Sequence, residues 1–219
     1  MRPLQDQCFP TPLDEISNLF LKDVGVSIDD LFSSFDPLPI GVASLAQVHI
    51  ATDRKTNKKV AVKIMHPDLE DFAAVDMKTT SFALKVIKTI FPAFEFEWLG
   101  QEMEENLPLE MNFIHEAANA ERCRKDFKDV PITTLVIPQV LWAKPRVLVM
   151  EFIEGARVDN LDYLKQHKID RNKVSQELAR IFSQMLYLNG FFHADPVSAL
   201  QRLSSRESLI KCDSMLAIC

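Results

Sequence analysis

The stretch Val60-Ala61-Val62-Lys63 constrains the fold of this chain more than any other. It is an alternating run rich in β-branched residues, which reads as a strand, and it carries a lysine at its end. With Gln47–Ala51 upstream and a polar turn over 52–58 between them, it forms one arm of a β-hairpin that continues to Met65. A lysine so placed can lay its aliphatic stem along apolar surface and carry its ammonium into a cleft, where it meets phosphate oxygens as a point charge. On the tetrapeptide alone a solvent-facing strand lysine is the simpler reading, so its neighbours decide.

Helical signals surround the hairpin. Residues 13–24 are amphipathic, with Pro12 at the start and Gly25 past the end. Over 68–91 apolar residues recur at helical spacing, at Phe72, Val75, Phe82, Val86 and Ile90, and Pro92 ends the run. That stripe reads as a face turned to the core. With Lys78, Lys85 and Lys88 beside it, it also suits a partner or a membrane surface. A helix over 95–106 follows, Pro108 opens another over 109–127, and 135–142 and 146–152 read as a second pair of strands. Asp170 is suited to cap a long helix whose stripe is Val174, Leu178, Ile181, Phe182, Met185 and Leu188. Gly190 stops that helix and leaves His193-Ala194-Asp195-Pro196 in a loop.

This order of elements predicts an α+β fold of two lobes, with a boundary near 154–159. Residues 1–35 are a helical extension and 36–154 an N-lobe with a helical insertion. Residues 155–196 begin a helical C-lobe, and 197–219, where Ser, Arg and Lys interrupt a few leucines, are expected to be unstructured.

Several residues carry candidate chemistry. The loop Gly41 to Ala46 is built from small residues just before the strand that pairs with the lysine strand. A glycine-rich turn in this place lets backbone N–H groups approach phosphates, as in protein kinases. Ala43, Ser44 and Ala46 allow a close approach but not positive φ, so this loop is expected to be stiffer; an ordinary β-turn is the alternative. Glu116 flanks the apolar stripe Phe113, Ala117, Ala120 and is the natural partner for Lys63, unless it is a solvated helix glutamate. Glu110 and Asn112 just before it could face phosphates or cap the helix. Residues 146–155, Arg-Val-Leu-Val-Met-Glu-Phe-Ile-Glu-Gly, resemble a kinase hinge, unless they form a simple edge strand. The backbone of Glu151 and Ile153 would bond adenine there, with Met150 at the back of the pocket. Asp195 would orient or deprotonate the phosphoryl acceptor; alone, His-x-Asp is a weak signal, and the long helix that delivers it gives it force.

Composition narrows the alternatives. A net charge of −6, a pI near 5.4 and the lack of a basic stripe with interleaved aromatics exclude a nucleic-acid binder. Cys8, Cys123, Cys212 and Cys219 show no paired spacing and read as free thiols of a reducing compartment. The five histidines lack zinc-ligand spacing, so no structural metal site is expected. No segment has the length and apolar content of a membrane span. The first residues have neither an apolar h-region nor an Arg/Ser-rich leader, so the expectation is either no cleavable address or a true start that lies upstream.

Together these residues resemble the UbiB/aarF-domain family of atypical kinases. Pro39-Ile40-Gly41-Val42-Ala43-Ser44-Leu45-Ala46-Gln47-Val48-His49 is similar to its alanine-rich nucleotide loop, and Val60–Lys63 with Met65-His66-Pro67 to its lysine strand. Glu110-Met111-Asn112 resembles its Glu-x-Asp motif; Asn119-Ala120-Glu121 and Asn189-Gly190-Phe191-Phe192-His193-Ala194-Asp195-Pro196 also fit. The length between Lys63 and Glu116 leaves room for the two helices the family inserts there. Residues 5–12 and 31–35 look most like the mitochondrial branch.

The resemblance implies a protein-kinase-like fold, ATP or ADP as ligand, magnesium, ATPase or lipid/small-molecule kinase chemistry, and a mitochondrial role in lipid or coenzyme Q homeostasis. Its site residues would be Lys63, Glu116 and Asp195, with Ala43, Ser44, Ala46, Glu110, Met150, Glu151 and Ile153 around the nucleotide. Three departures qualify it. The family's Lys-x-Gly-Gln segment is absent, and Asn112 replaces an aspartate. Val197-Ser198-Ala199-Leu200 stand where the family continues to a metal-binding asparagine and, later, a metal-binding aspartate. The expectation is therefore a chain cut short relative to the family, binding nucleotide but inactive, or a non-catalytic adaptor. A fragment whose uncovered C-lobe helix prevents stable folding is a third possibility.

Overall fold

Strand β4 (Lys59–Met65) is apolar on both faces because it lies inside the sheet with packing above and below it. The computed structural model describes residues 8–91, 93, 97–130, 135–157, 160–192, 200–203 and 210–212. Ahead of β4 come helices α1 (Leu13–Val24) and α2 (Ile28–Leu31), then β1 (Phe32–Phe35), β2 (Gly41–Val42) and β3 (Ala46–Asp53). After it come α3 (Leu69–Ile90), α4 (Glu97–Glu110) and α5 (Phe113–Phe127). Strands β5 (Leu135–Val136), β6 (Val140–Ala143), β7 (Val147–Glu151) and β8 (Ala156–Arg157) follow. The last elements are α6 (Leu161–Gln166), α7 (Arg171–Ser183) with a π-helical turn over Gln184–Asn189, β9 (Leu200–Leu203) and β10 (Ile210–Cys212).

The main sheet is antiparallel in the order β1-β3-β4-β7-β6, with β2 also on β3. Val60, Val62 and Ile64 point to one face and pack with Val147 and Val149 under α1, whose Ile16, Leu19 and Phe20 are buried. Ala61, Lys63 and Met65 point to the other, where Met65 and Ala61 pack with Leu148, Met150 and Phe113. Helix α1 ends as its sequence indicates: Gly25 takes a left-handed φ of 86° and its N–H reaches the Leu21 carbonyl. Asp23 near that end receives Arg146 Nε at 2.7 Å, and both side chains are nearly buried, which ties α1 to the β6–β7 turn. In the β3–β4 turn, Asp53 accepts the Thr56 N–H at 2.8 Å and Asn57 takes φ 54°.

A second core joins α5, α6 and α7 through Cys123, Phe127, Leu135, Leu164, Val174, Ile181, Met185 and Phe191. Asp170 caps α7 by accepting the Asn172 N–H, and Gly190 ends the π-turn with φ 59°.

Five expectations change. Residues 32–35, expected to belong to a helical extension, form β1, because Phe32 is buried against Phe20 at the sheet edge. Pro108 lies inside α4 instead of opening a helix; the break falls at Met111-Asn112, where Asn112 supplies the stronger N-terminal cap. The stripe Phe72, Val75, Phe82, Val86, Ile90 is not core: these residues are 40–69% exposed. Helix α3 instead meets α4 through the side that carries Ser81 and Leu84: Ser81 Oγ donates to Glu104 at 2.6 Å, and a Cβ on Gly100 would lie 3.2 Å from Leu84 Cδ1. Leu188, expected in the α7 stripe, is 75% exposed because the wider π-turn rotates it off that face. Part of 197–219 is ordered: β9 pairs with β8 and with β10, and β10 runs parallel to β5, so the backbone hydrogen bonding of short strand edges organises residues whose side chains show no pattern.

Candidate functional site

Lys63 lies between Val48 of β3 and Leu148 of β7 in the ladder, so these three side chains share one face of the sheet. Helix α5 faces them. Its start is fixed twice: the Asn112 side chain accepts the Ile114 N–H at 3.0 Å, and the Phe113 N–H is donated to the Pro145 carbonyl at 2.9 Å. Phe113 and Glu116, one turn apart, then share the inward side of the helix, both buried.

The Lys63 ammonium donates to both Glu116 carboxylate oxygens at 2.7 Å and stands 4.8 Å from the centroid of the Phe113 ring. The side chains are only 15% and 6% exposed, so the attraction is screened far less than on a surface, and each charge depends on the other for its burial. The ammonium has three N–H donors in all, so one remains for a further acceptor. The sequence placed these two residues as partners across 53 positions, and the structure joins them.

The small-residue loop is a tight hairpin. Gly41 and Val42 pair with Val48 and Gln47, and the Ala43 N–H closes the turn on the Ala46 carbonyl at 2.8 Å. Ala46 is buried opposite Met65, two residues beyond Lys63 along β4, and Ser44 sits at the exposed tip. The Ala43 N–H is thus committed within the turn. At the other side, Met150 is buried and pairs with Ala61, and Ile153 is buried just past the end of β7. The Glu151 N–H is donated to the Gln139 carbonyl at 2.9 Å, so a base edge would meet its carbonyl and not its N–H.

Asn112 serves the helix as its cap, the second of the two alternatives its sequence position left open. Glu110, at the end of α4, is partly buried, and that burial raises its carboxyl above the usual range. Among the described residues no group of three or more His, Cys, Asp or Glu side chains could hold a metal ion. Asp195 and His193 lie outside the described residues. Sequence reasoning missed a set of polar side chains on the opposite face of the hairpin, Gln47, His49 and His66. Its signal was two polar residues at alternate positions of an otherwise apolar strand face.

Comparison with known proteins decides the family. A model described as the ABC1 atypical kinase-like domain matches residues 3–213. The chain belongs to that family. The ABC1 family protein MCP2 homolog of Schizosaccharomyces pombe is 43% identical over 197 residues, covering 90% of this chain and 35% of that protein. AarF domain-containing kinase 1 of Drosophila melanogaster is 39% identical over 198 residues, with 90% and 38% covered. The chain thus spans little more than a third of the length of these curated relatives. Among solved structures, the Rv3197–erythromycin complex of Mycobacterium tuberculosis aligns with a TM-score of 0.78 at 25% identity, covering 96% of this chain and 52% of that one. The α+β fold is accordingly the kinase-like fold of the ABC1/AarF proteins.

Proposed function

We propose that this chain binds an adenine nucleotide, ATP or ADP, in the cleft between the sheet and α5. The observation that carries the reading is the two-oxygen ion pair of Lys63 and Glu116, which holds an ammonium where the family's lysine would meet phosphate oxygens. Ser44 at the hairpin tip would approach the phosphates from one side. The Glu151 carbonyl, with Ile153 and buried Met150, would take the base on the other. Glu110 is the carboxylate that the Glu-x-Asp-like motif would offer to magnesium, an ion that keeps several waters and needs few protein ligands. The ion would neutralise phosphate charge. Asp195 would orient the acceptor.

The family's full-length reading, an ATPase or a kinase for a lipid or small molecule, comes to this chain through the Lys63 and Asp195 motifs. So does a mitochondrial role in lipid or coenzyme Q homeostasis, through the resemblance of residues 5–12 and 31–35. Phosphoryl transfer by these 219 residues alone would be negligible, because Val197 to Leu200 bring no side-chain amide or carboxylate to the metal.

Calorimetric titration of ATP and ADP, with and without Mg²⁺, tests the reading. The control is Lys63→Met combined with Glu116→Leu, which removes both charges and keeps apolar volume. Binding that the double substitution abolishes supports it; a cooperatively folded chain that binds neither nucleotide overturns it.

A second reading rests on α3. Phe72, Val75, Phe82 and Ile90 are each more than 60% exposed along one side, with exposed Lys78 and Lys85 at its margin. Such a helix suits the surface of an anionic bilayer. Flotation with phosphatidylglycerol vesicles, lost in Phe72→Ser/Phe82→Ser, would favour this adaptor reading.

A further inference from the structure

The face of the hairpin turned away from Lys63 carries a continuous chain of hydrogen bonds. The segment before α1 lies against it: the Cys8 N–H is donated to the Val42 carbonyl at 3.2 Å. Thr11 is held by a buried side-chain amide, its N–H donating to Gln47 Oε1 at 2.7 Å and its carbonyl accepting from Gln47 Nε2 at 3.2 Å. Gln47 Nε2 also meets His49 Nε2 at 2.9 Å, and His49 Nδ1 meets the Asp36 carbonyl at 2.8 Å. Thr11 Oγ1 lies 2.7 Å from His66 Nδ1, and His66 Nε2 lies 3.0 Å from the Ala43 carbonyl. The His66 N–H is donated to the Leu45 carbonyl at 3.1 Å.

The donor inventory fixes both rings. A carbonyl only accepts, so His66 must carry its proton on Nε2 and leave Nδ1 to accept from the Thr11 hydroxyl. By the same rule His49 carries its proton on Nδ1 and accepts from Gln47 on Nε2. Gln47 then has one orientation that satisfies all three of its contacts. Every member of the chain has a partner, and Gln47 and His49 are 1% and 0% exposed.

His66 therefore grips both ends of the hairpin tip, through the carbonyls of Ala43 and Leu45, from behind. Thr11 in turn sets the ring of His66. We infer that Thr11, Gln47 and His66 are positioning residues: residues 8–11 form a strap that, latched through them, holds the Ala43–Ala46 turn at its working distance from the Lys63 cleft. Gln47 and His66 lie on the sheet face opposite Lys63, and Thr11 is held against that face, so none of the three would touch a nucleotide beside Lys63. This inference rests on the nucleotide reading of that cleft.

The test uses the 219-residue chain and two readouts. The first is amide exchange at Ala43, whose N–H closes the turn, compared with Val62 in the middle of β4. The second is the dissociation constant for ADP. Thr11→Val keeps the shape and the Gln47 contacts but removes the hydroxyl; Thr11→Ser restores it; His66→Phe removes both ring contacts. In Thr11→Val and His66→Phe the Ala43 amide should exchange faster while Val62 does not change. ADP should bind about 3- to 10-fold more weakly, the effect of one or two lost hydrogen bonds. Thr11→Ser should recover both values. A merely structural role would speed Val62 as well and leave affinity tracking stability, which overturns the inference. An unchanged Ala43 rate in both variants overturns the latch whether or not nucleotide binds. Faster Ala43 exchange with an unchanged ADP constant overturns the positioning role. A wild-type chain that binds no ADP removes the nucleotide reading and the positioning role with it, and the Ala43 rates then show that the fault lies in the cleft and not in the latch.

Discussion

Lys63→Met should destabilise the chain more than any conservative surface change, and a second substitution should largely repair it. The single change leaves the Glu116 carboxylate, 6% exposed, without its counter-charge. Removing one partner of a buried pair costs about 3–5 kcal/mol. Glu116→Leu leaves the ammonium instead, which is 15% exposed and keeps the Phe113 ring at 4.8 Å. A cation–π contact and a flexible stem that reaches water reduce that loss by on the order of 1 kcal/mol. In Lys63→Met/Glu116→Leu no unpaired charge remains and the apolar volume is kept, so stability should return to within about 1 kcal/mol of wild type. At about 2–4 °C per kcal/mol, Lys63→Met should lower the melting midpoint by on the order of 10 °C, Glu116→Leu by less, and the double variant hardly at all. Urea unfolding of all four proteins completes the cycle, with a coupling of at least about 4 kcal/mol expected. If the two single losses simply add in the double variant, the buried pair does not exist in solution and the argument for the cleft falls.

Two further outcomes follow from buried titratable groups. Burial depresses His49 below its ordinary value of 6.5, against the opposing pull of the Asp36 carbonyl. The folded state then binds fewer protons than the unfolded one between the depressed value and 6.5, so stability present at neutral pH is lost as pH falls through that window. The slope of melting midpoint against pH below 6.5 should shrink in His49→Phe; an equal slope in both proteins would refute the assignment. Burial, with Asp126 nearby, pushes the Cys123 thiol up to about 12. Cys123 should therefore resist a thiol reagent at pH 8 until urea unfolds the chain, and rapid native labelling at Cys123, read by mass spectrometry, would contradict its packing among Phe127, Ile181 and Phe191.

The sheet around Lys63 was legible because its signals are local. Alternation marked β3, the valine-rich run before Lys63 marked β4, the polar turn between them marked the hairpin, and Pro12 and Gly25 bracketed α1. The partnership of Lys63 with Glu116 was legible as chemistry, a buried ammonium needing a carboxylate on the facing helix stripe. What failed was what depends on distant packing. Periodicity along α3 showed an apolar stripe but could not show which side meets α4, and the contact of Ser81 and Leu84 with Gly100 and Glu104 settled that. β1 escaped because Phe32–Phe35 has no alternation of its own and is recruited by the edge of β3. The Thr11–Gln47–His49–His66 chain escaped because its members lie on three segments, and only the antiparallel register brings them together.

An acyl phosphate of ADP, which transfers its acyl group to an amine held beside the nucleotide phosphates, tests the account most directly. With the 219-residue chain and peptide mapping, the account predicts acylation concentrated on Lys63, suppressed by excess ADP and absent from Lys63→Met/Glu116→Leu. Acylation spread over exposed lysines such as Lys78 and Lys85, with Lys63 unmodified and no effect of ADP, would contradict it.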